Sequence, residues 1–138
     1  MKKIVFLFVL GFIVSCQLPS SLNGKKSNQD LLYKTWILQD ENGDVLSYNG
    51  QAINLQFMKE SEIRASGFSG CNRYFSTVNL DESSIRFEQV GATLMACPEM
   101  ETEQMFLDLL PKIDRYELYG NELTLYQGKI VLFRFVAK

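Results

Sequence analysis

The cysteines are the most reactive side chains of this sequence, which contains three of them and no histidine. Two of them, Cys71 and Cys97, lie in the body of the chain. In an exported protein such a pair predicts a disulfide. The alternative is two buried thiols that pack as small apolar side chains. A catalytic or redox thiol is not favoured, because there is no histidine to activate it and no Cys-x-x-Cys pair.

The third cysteine, Cys16, follows an apolar leader. Lys2 and Lys3 precede residues 4–14, which are apolar apart from one glycine and too few to span a bilayer. The small residue before Cys16 resembles the lipobox of bacterial lipoproteins. This resemblance implies that residues 1–15 are a signal peptide and that the Cys16 sulfur receives a diacylglycerol. An ordinary signal peptide with a cysteine nearby is the alternative.

Residues 16–30 predict a flexible tether, and residues 31–138 a single domain. The tether is rich in serine, asparagine and lysine and shows no helical or strand periodicity. A coil of this length reaches roughly 20 Å. We therefore expect a domain that stands off a membrane to which it is anchored.

The residues around Ser69 partly match Gly-x-Ser-x-Gly, a short pattern typical of serine hydrolases. The pattern fails at its last position, which is Cys71, and the usual histidine base is missing. We reject a serine hydrolase and predict no catalytic residue, so the protein is not expected to be an enzyme.

Residues 40–44 carry side-chain oxygens at alternate positions, as calcium loops do. The sixth position of such a loop should be glycine and the twelfth glutamate, but Val45 and Gln51 stand there. We interpret the stretch as a polar turn. Without histidine a zinc site is also not favoured, and we expect neither a metal nor a cofactor.

An acidic cluster, Glu99, Glu101 and Glu103, begins the only segment with helical periodicity. Two carboxyl groups that converge across a cleft would suit glycoside chemistry. Residues two apart on a helix diverge instead, so we predict a solvated first turn.

Composition excludes one class of partner. Hydrophobic residues make up 46% of the chain and charged residues 22%, which indicates a packed domain. The net charge is −2 and no basic run occurs in the body of the chain. We therefore do not expect nucleic acid as a partner.

The elements that must position these residues are short strands. Apolar residues alternate with polar ones in eight segments, the last three joined by two Gly-containing turns as in an antiparallel meander. The apolar residues that mark these segments are Trp36, Leu38, Ile53, Leu55, Phe57, Ile63, Ala65, Tyr74, Val78, Leu80, Ile85, Phe87, Tyr116, Leu118, Leu123, Leu125, Val131, Phe133 and Phe135.

After Pro98 the apolar spacing changes to three and four. Met105, Phe106, Leu109, Leu110 and Ile113 predict one amphipathic helix that ends near Leu110. The fold class is thus mainly β, a single antiparallel barrel or strongly curved sheet with one helix. We expect most aromatic residues to fill its interior, and the sequence leaves open whether a cavity for an apolar ligand remains.

Residues 67–75 predict a tight turn with a buried backbone that leads into a strand, because two glycines and Asn72 stand beside Cys71. We expect the Asn72 side chain to hydrogen-bond the backbone of its own turn. A contact with a ligand is the alternative.

The chain resembles the META domain family, which includes the HslJ-type heat-inducible lipoproteins of bacterial envelopes. The matching stretches are distributed over nearly the whole range of residues 31–135, and they are residues 36–38, 70–74, 93–98, 103–110, Tyr116 and 120–133. The resemblance implies a lipocalin-like antiparallel barrel. It also implies that Gly70, Asn72, Thr93, Met95 and Ala96 are structural positions.

The family is associated with heat and envelope stress and with antibiotic tolerance. We therefore expect a non-enzymatic envelope lipoprotein on the periplasmic face or the cell surface, which acts by binding an envelope protein or an apolar small molecule. The alternative is a lipid-binding or pilotin-like chaperone whose barrel carries an acyl chain.

Overall fold

The computed structural model describes residues 28–98 and 100–138. The predicted signal peptide, Cys16 and residues 17–27 of the tether lie outside them. The described residues form ten strands, one α-helix and two 3-10 helices at Asn28–Leu31 and Leu110–Lys112. The strands are β1 (Thr35–Gln39), β2 (Ser47–Tyr48), β3 (Gln51–Ala52), β4 (Asn54–Lys59), β5 (Ile63–Phe68), β6 (Arg73–Leu80), β7 (Ile85–Ala92), β8 (Arg115–Tyr119), β9 (Glu122–Gln127) and β10 (Ile130–Ala137).

Eight of the strands form one antiparallel sheet in the order β7-β6-β5-β4-β1-β10-β9-β8. The sheet curls so that its edge strands approach each other, where Ser84 bridges Arg115 and the Ile85 N–H donates to the Asp114 carbonyl at 3.3 Å. The result is a half-barrel, which confirms the predicted mainly β, strongly curved sheet. The predicted meander is β8-β9-β10.

The period of two places alternate side chains on opposite faces of the sheet. In β6, Tyr74, Ser76 and Val78 point inward and are buried, whereas Arg73 and Phe75 are exposed. Phe75 is therefore an exception to the aromatic residues that fill the interior. Its ring packs against Gly91 of β7, where an added Cβ would lie 2.6 Å from the ring.

The helix α1 spans Glu101–Leu109 and continues into the second 3-10 helix, which contains Pro111. Phe106 and Leu110 are fully buried, as the spacing predicts, but Met105 is 50% exposed because it lies off that face. The second 3-10 helix packs against β7 and fills the gap between the edge strands β7 and β8, which we call the seam of the half-barrel. None of the helices in the described ranges is long and apolar enough to cross a membrane.

Packed aromatic rings occupy the interior. The Phe106 ring lies 5.1 Å from that of Tyr74 and 4.9 Å from that of Phe133, which lies 6.1 Å from Phe135. Trp36 is fully buried, and its indole N–H donates to the Leu31 carbonyl at 3.1 Å. The helix thus supplies the ring that joins the two halves of the sheet.

The strands have two distinct ends. We call one of them the tether end. There the Tyr33 N–H donates to the Phe57 carbonyl, and the Tyr33 hydroxyl donates to the Lys59 carbonyl. At the other, the disulfide end, Phe68 pairs with Arg73. Strand β5 runs between them, a distance of about 20 Å for six residues.

A small hairpin of β2 and β3 lies outside the main sheet and was not expected from the sequence. Asn49 and Gly50 form its turn, with φ of 49° and 77°. These values are those of a type I′ turn, for which Asn-Gly is the preferred pair. The flanking strands have two residues each, too few to show alternation.

Candidate functional site

Cys71 and Cys97 form a disulfide, with their Cα atoms 6.1 Å apart. The predicted pairing is confirmed, and the alternative of two free thiols is not what the structure contains. The bond joins the turn between β5 and β6 to the segment that leads into α1. Cys71 is buried, with 7% of its surface exposed.

A buried carboxylate lies inside this turn. The Oε2 atom of Glu103 accepts hydrogen bonds from the Cys71 N–H at 2.8 Å, the Asn72 N–H at 2.5 Å and the Ser69 hydroxyl at 2.8 Å. Its Oε1 atom accepts from the Asn72 Nδ2 at 2.6 Å. Gly70 adopts a φ of +128°, a conformation open mainly to glycine, and so brings the N–H groups around one oxygen.

Two opposing effects set the pKa of Glu103. Burial alone would raise it, because a charge is less stable away from water. The hydrogen bonds from Asn72, Ser69 and Cys71 outweigh burial and hold the pKa below its usual value of 4.5. The carboxylate is therefore charged at neutral pH although only 3% of the residue is exposed.

The prediction that Glu103 belongs to a solvated first turn was wrong. Glu101 is exposed as expected, and Glu99 lies outside the described residues. A sequence signal for the buried position did exist. Glu103 stands three residues before Phe106 and seven before Leu110, and this spacing places it on the apolar face of the helix.

Asn72 fastens a second piece of chain rather than its own turn, which corrects our expectation. Its Oδ1 accepts from the Met95 N–H at 2.7 Å and the Thr93 hydroxyl at 2.8 Å. Its Nδ2 donates to the Met95 carbonyl at 3.1 Å as well as to Glu103. The side chain is fully engaged within the protein, which argues against the ligand alternative.

Two other groups considered from the sequence have internal roles. Ser69 is fully buried and its hydroxyl is engaged by Glu103. The Asp40 carboxylate accepts from the N–H groups of Asn42 and Asp44, both at 2.9 Å, and this turn lowers its pKa. Within the described ranges no group of three or more potential metal ligands occurs.

An open apolar groove lies beside this network at the disulfide end. It has a volume of about 370 Å³ and is bounded by residues 92–96 on one side and α1 on the other. Leu94 is 99% exposed and Met95 61% exposed. We call this feature the apolar groove, and its lining residues are Asn72, Ala92, Thr93, Leu94, Met95, Ala96, Met100, Glu103, Gln104 and Leu107. No pattern in the sequence indicated this groove.

The predicted structural positions thus have distinct places. Gly70 and Asn72 form the turn around the carboxylate, Thr93 and Met95 are held by Asn72, and Ala96 lines the apolar groove. They meet at the disulfide end of the half-barrel. Their arrangement presents a fixed apolar surface.

Comparison with known proteins gives a family and a fold. An NMR structure of a protein from Burkholderia xenovorans is 27% identical, with a TM-score of 0.61, and the match covers 80% of this chain and 85% of that one. A second NMR structure is 18% identical, with a TM-score of 0.63 and coverage of 80% and 94%, and it shows the fold alone. No curated protein matches the sequence. The META domain model matches residues 29–138, and the chain therefore belongs to the META domain family.

Proposed function

We propose that this protein is a non-enzymatic lipoprotein of the cell envelope, anchored through Cys16, that acts in stress tolerance by binding a partner. The leader before Cys16 supports the anchor, and membership of the META domain family supports the link to stress. The observation that carries the binding role is the exposure of Leu94 and Met95 beside the apolar groove.

The exposed apolar segment is held in place, which is why it indicates binding. The disulfide fixes one end of the segment, at Cys97, and Asn72 fixes the backbone of Met95. Leu94 therefore has little freedom to fold back onto the protein. Contiguous apolar surface of this kind marks interaction sites in proteins.

The polar groups at this end support a role without catalysis. Ser69, Asn72 and Glu103 are each at least 97% buried and bond to one another. A catalytic group must face its substrate, whereas these groups face the protein.

The second candidate, a lipid-binding or pilotin-like chaperone, has one favourable observation. The apolar groove has a volume of about 370 Å³, enough to hold part of an acyl chain on the surface. The packed rings of Phe106, Tyr74 and Phe133 argue against an acyl chain inside the half-barrel.

Membrane fractionation tests the anchor. Cys16→Ser should move the protein from the membrane fraction to the soluble fraction, because the lipid-bearing sulfur is lost. Ser21→Ala, a change in the same tether, should leave it in the membrane fraction. If Cys16→Ser stays with the membranes, the lipoprotein assignment is wrong.

Site-specific photocrosslinking in cells tests the binding role. A photoreactive residue in place of Leu94 should yield a discrete protein adduct by mass spectrometry. The same residue in place of Ile130, which is 66% exposed on β10, is the matched control. Equal adducts from both positions would contradict the proposal, and adducts with lipid alone would favour the second candidate.

Viability measurements test the link to stress. A strain that lacks the protein should survive heat or antibiotic less well than its parent. The wild-type chain should restore survival, and Cys16→Ser should not. Equal survival of the deletion strain and its parent under both stresses would remove this part of the proposal.

A further inference from the structure

Residues 93–95 extend strand β7 beyond its last ladder pair. The Thr93 N–H donates to the Arg73 carbonyl at 3.0 Å, so pairing with β6 continues for one more residue. The next contact comes from a side chain. Both the N–H and the carbonyl of Met95 bond to the amide group of Asn72, at 2.7 and 3.1 Å. The Asn72 amide thus replaces a neighbouring strand.

This geometry determines where the backbone groups on either side of Met95 point. In extended chain the N–H and C=O of one residue face the same side, and those of the next residue face the opposite side. Since Met95 faces Asn72, the backbone groups of Leu94 and Ala96 face away from it. These groups make no hydrogen bond to any residue that the structure describes.

The apolar groove adjoins this segment. Its far wall is formed by Met100, which precedes α1, and by Leu107 of α1, and Ala92 and Ala96 line the near side. Unpaired backbone donors and acceptors therefore border an apolar channel. A bound polypeptide strand supplies hydrogen bonds from its backbone and apolar contacts from alternate side chains, as this edge requires.

We infer that residues 93–96 are a strand-addition site, which binds an extended segment of a partner protein and takes one of its apolar side chains into the apolar groove. This inference rests on the proposed binding function and names the class of partner. The backbone of the partner pairs with Leu94 and Ala96, and its apolar side chain contacts Met100 and Leu107.

Two other occupants fit the site less well. A lipid chain offers no donors or acceptors for the backbone of Leu94 and Ala96, and the site lies at the disulfide end, about 20 Å along β5 from the end to which the tether connects. In a second copy of the chain, α1 lies beside the same edge, residues 93–96. To place that edge in the groove of the first copy, the second copy would have to bring its α1 into the groove as well.

Amide hydrogen exchange of the purified chain with a peptide tests the inference. The probe is a seven-residue peptide of sequence Lys-Val-Thr-Val-Thr-Val-Lys, added up to about 1 mM. The Leu94 and Ala96 amides should exchange fast in the free protein and at least about tenfold more slowly with peptide. The Met95 amide, already bonded to Asn72, should change little.

A peptide with the same side chains but every backbone nitrogen methylated is the matched control. It keeps the apolar contacts and loses the donors, so it should give no protection at Leu94 and Ala96. In the protein, Ala96→Pro removes one edge N–H and should abolish protection at Leu94, whereas Ala96→Ser retains it. If Ala96→Pro does not fold, the comparison with the methylated peptide still tests the strand-addition site.

Several results would overturn the inference. They are an absence of peptide-dependent change at residues 92–107 at 1 mM, equal effects of the methylated peptide, protection of the same amides by phosphatidylglycerol vesicles, or a peptide-free dimer that buries them. The outcome of the peptide experiment does not depend on whether Cys16 carries a lipid anchor. Peptide protection together with a Cys16→Ser chain that stays on membranes would reject the lipoprotein assignment and retain the strand-addition site.

Discussion

Glu103 concentrates three hydrogen bonds on a single carboxylate oxygen, and a fourth reaches its other oxygen. The donors come from the turn at residues 69–72, whereas the carboxylate belongs to α1. Asn72 then passes the connection on to Met95. The buried acid and Asn72 thus join the turn, the segment at Met95 and α1.

Glu103→Gln should lower the free energy of unfolding by about 2–3 kcal/mol. The amide oxygen replaces only one carboxylate oxygen, and the new NH₂ group faces the Nδ2 donor of Asn72. Denaturant unfolding measures the loss. Glu101→Gln, on the exposed face of the same helix, should change stability by less than about 0.5 kcal/mol. Equal effects of the two variants would show that the buried carboxylate has no special role.

The lowered pKa of Glu103 predicts a specific pH dependence. Because its pKa is lower in the folded state, its contribution is complete above the unfolded value, near 4.5, and is lost as the pH falls through the folded value. Wild type should therefore lose more stability than Glu103→Gln between pH 6 and pH 3. Unfolding curves across this range measure the difference. Parallel pH profiles of the two proteins would contradict the assignment.

Among the elements, those with a clear period were predictable and those defined by long-range contacts were not. The alternation in β6 predicted a strand of the sheet, and the spacing of Phe106 and Leu110 predicted the helix. The hairpin at Asn49 is too short to show a period, and the role of Asn72 depends on Met95, which is distant in sequence. The groove results from the separation of two elements, and no local pattern encodes it.

The disulfide is a covalent link between the turn after β5 and the segment that leads into α1. Its removal in the double variant Cys71→Ala, Cys97→Ala should lower the free energy of unfolding by about 3 kcal/mol, because the closed loop spans 26 residues. Denaturant unfolding with and without a reductant measures this. Reductant should destabilise wild type and leave the double variant unchanged. An equal response of both proteins would contradict a stabilising role for the bond.

At the scale of the whole molecule, the two halves of the half-barrel meet through packed aromatic rings. Phe106 contacts Tyr74 from one half of the sheet and Phe133 from the other. Stability therefore depends on a residue that belongs to neither half. These rings form a packed core where the two halves meet.

Phe106→Ala should lower the free energy of unfolding by about 3–5 kcal/mol, because it leaves a cavity between the halves of the sheet. Met105→Ala, next to it but 50% exposed, should cost less than about 1 kcal/mol. Thermal and denaturant unfolding compare the two variants. A loss below 1 kcal/mol for Phe106→Ala would show that the helix is not a part of the core.

The seam of the sheet is filled by the second 3-10 helix, which continues α1, instead of a ninth strand. Within the described ranges α1 shares no backbone hydrogen bond with any strand, and it is retained by side chains, chiefly Phe106 and Glu103. An outward displacement of α1 would break no ladder of the sheet, and the disulfide would still link the segment before α1 to the turn. Water would then reach Tyr74 and Phe133 at a free energy below that of global unfolding, so proteases that sample such partial opening should cut near α1 first.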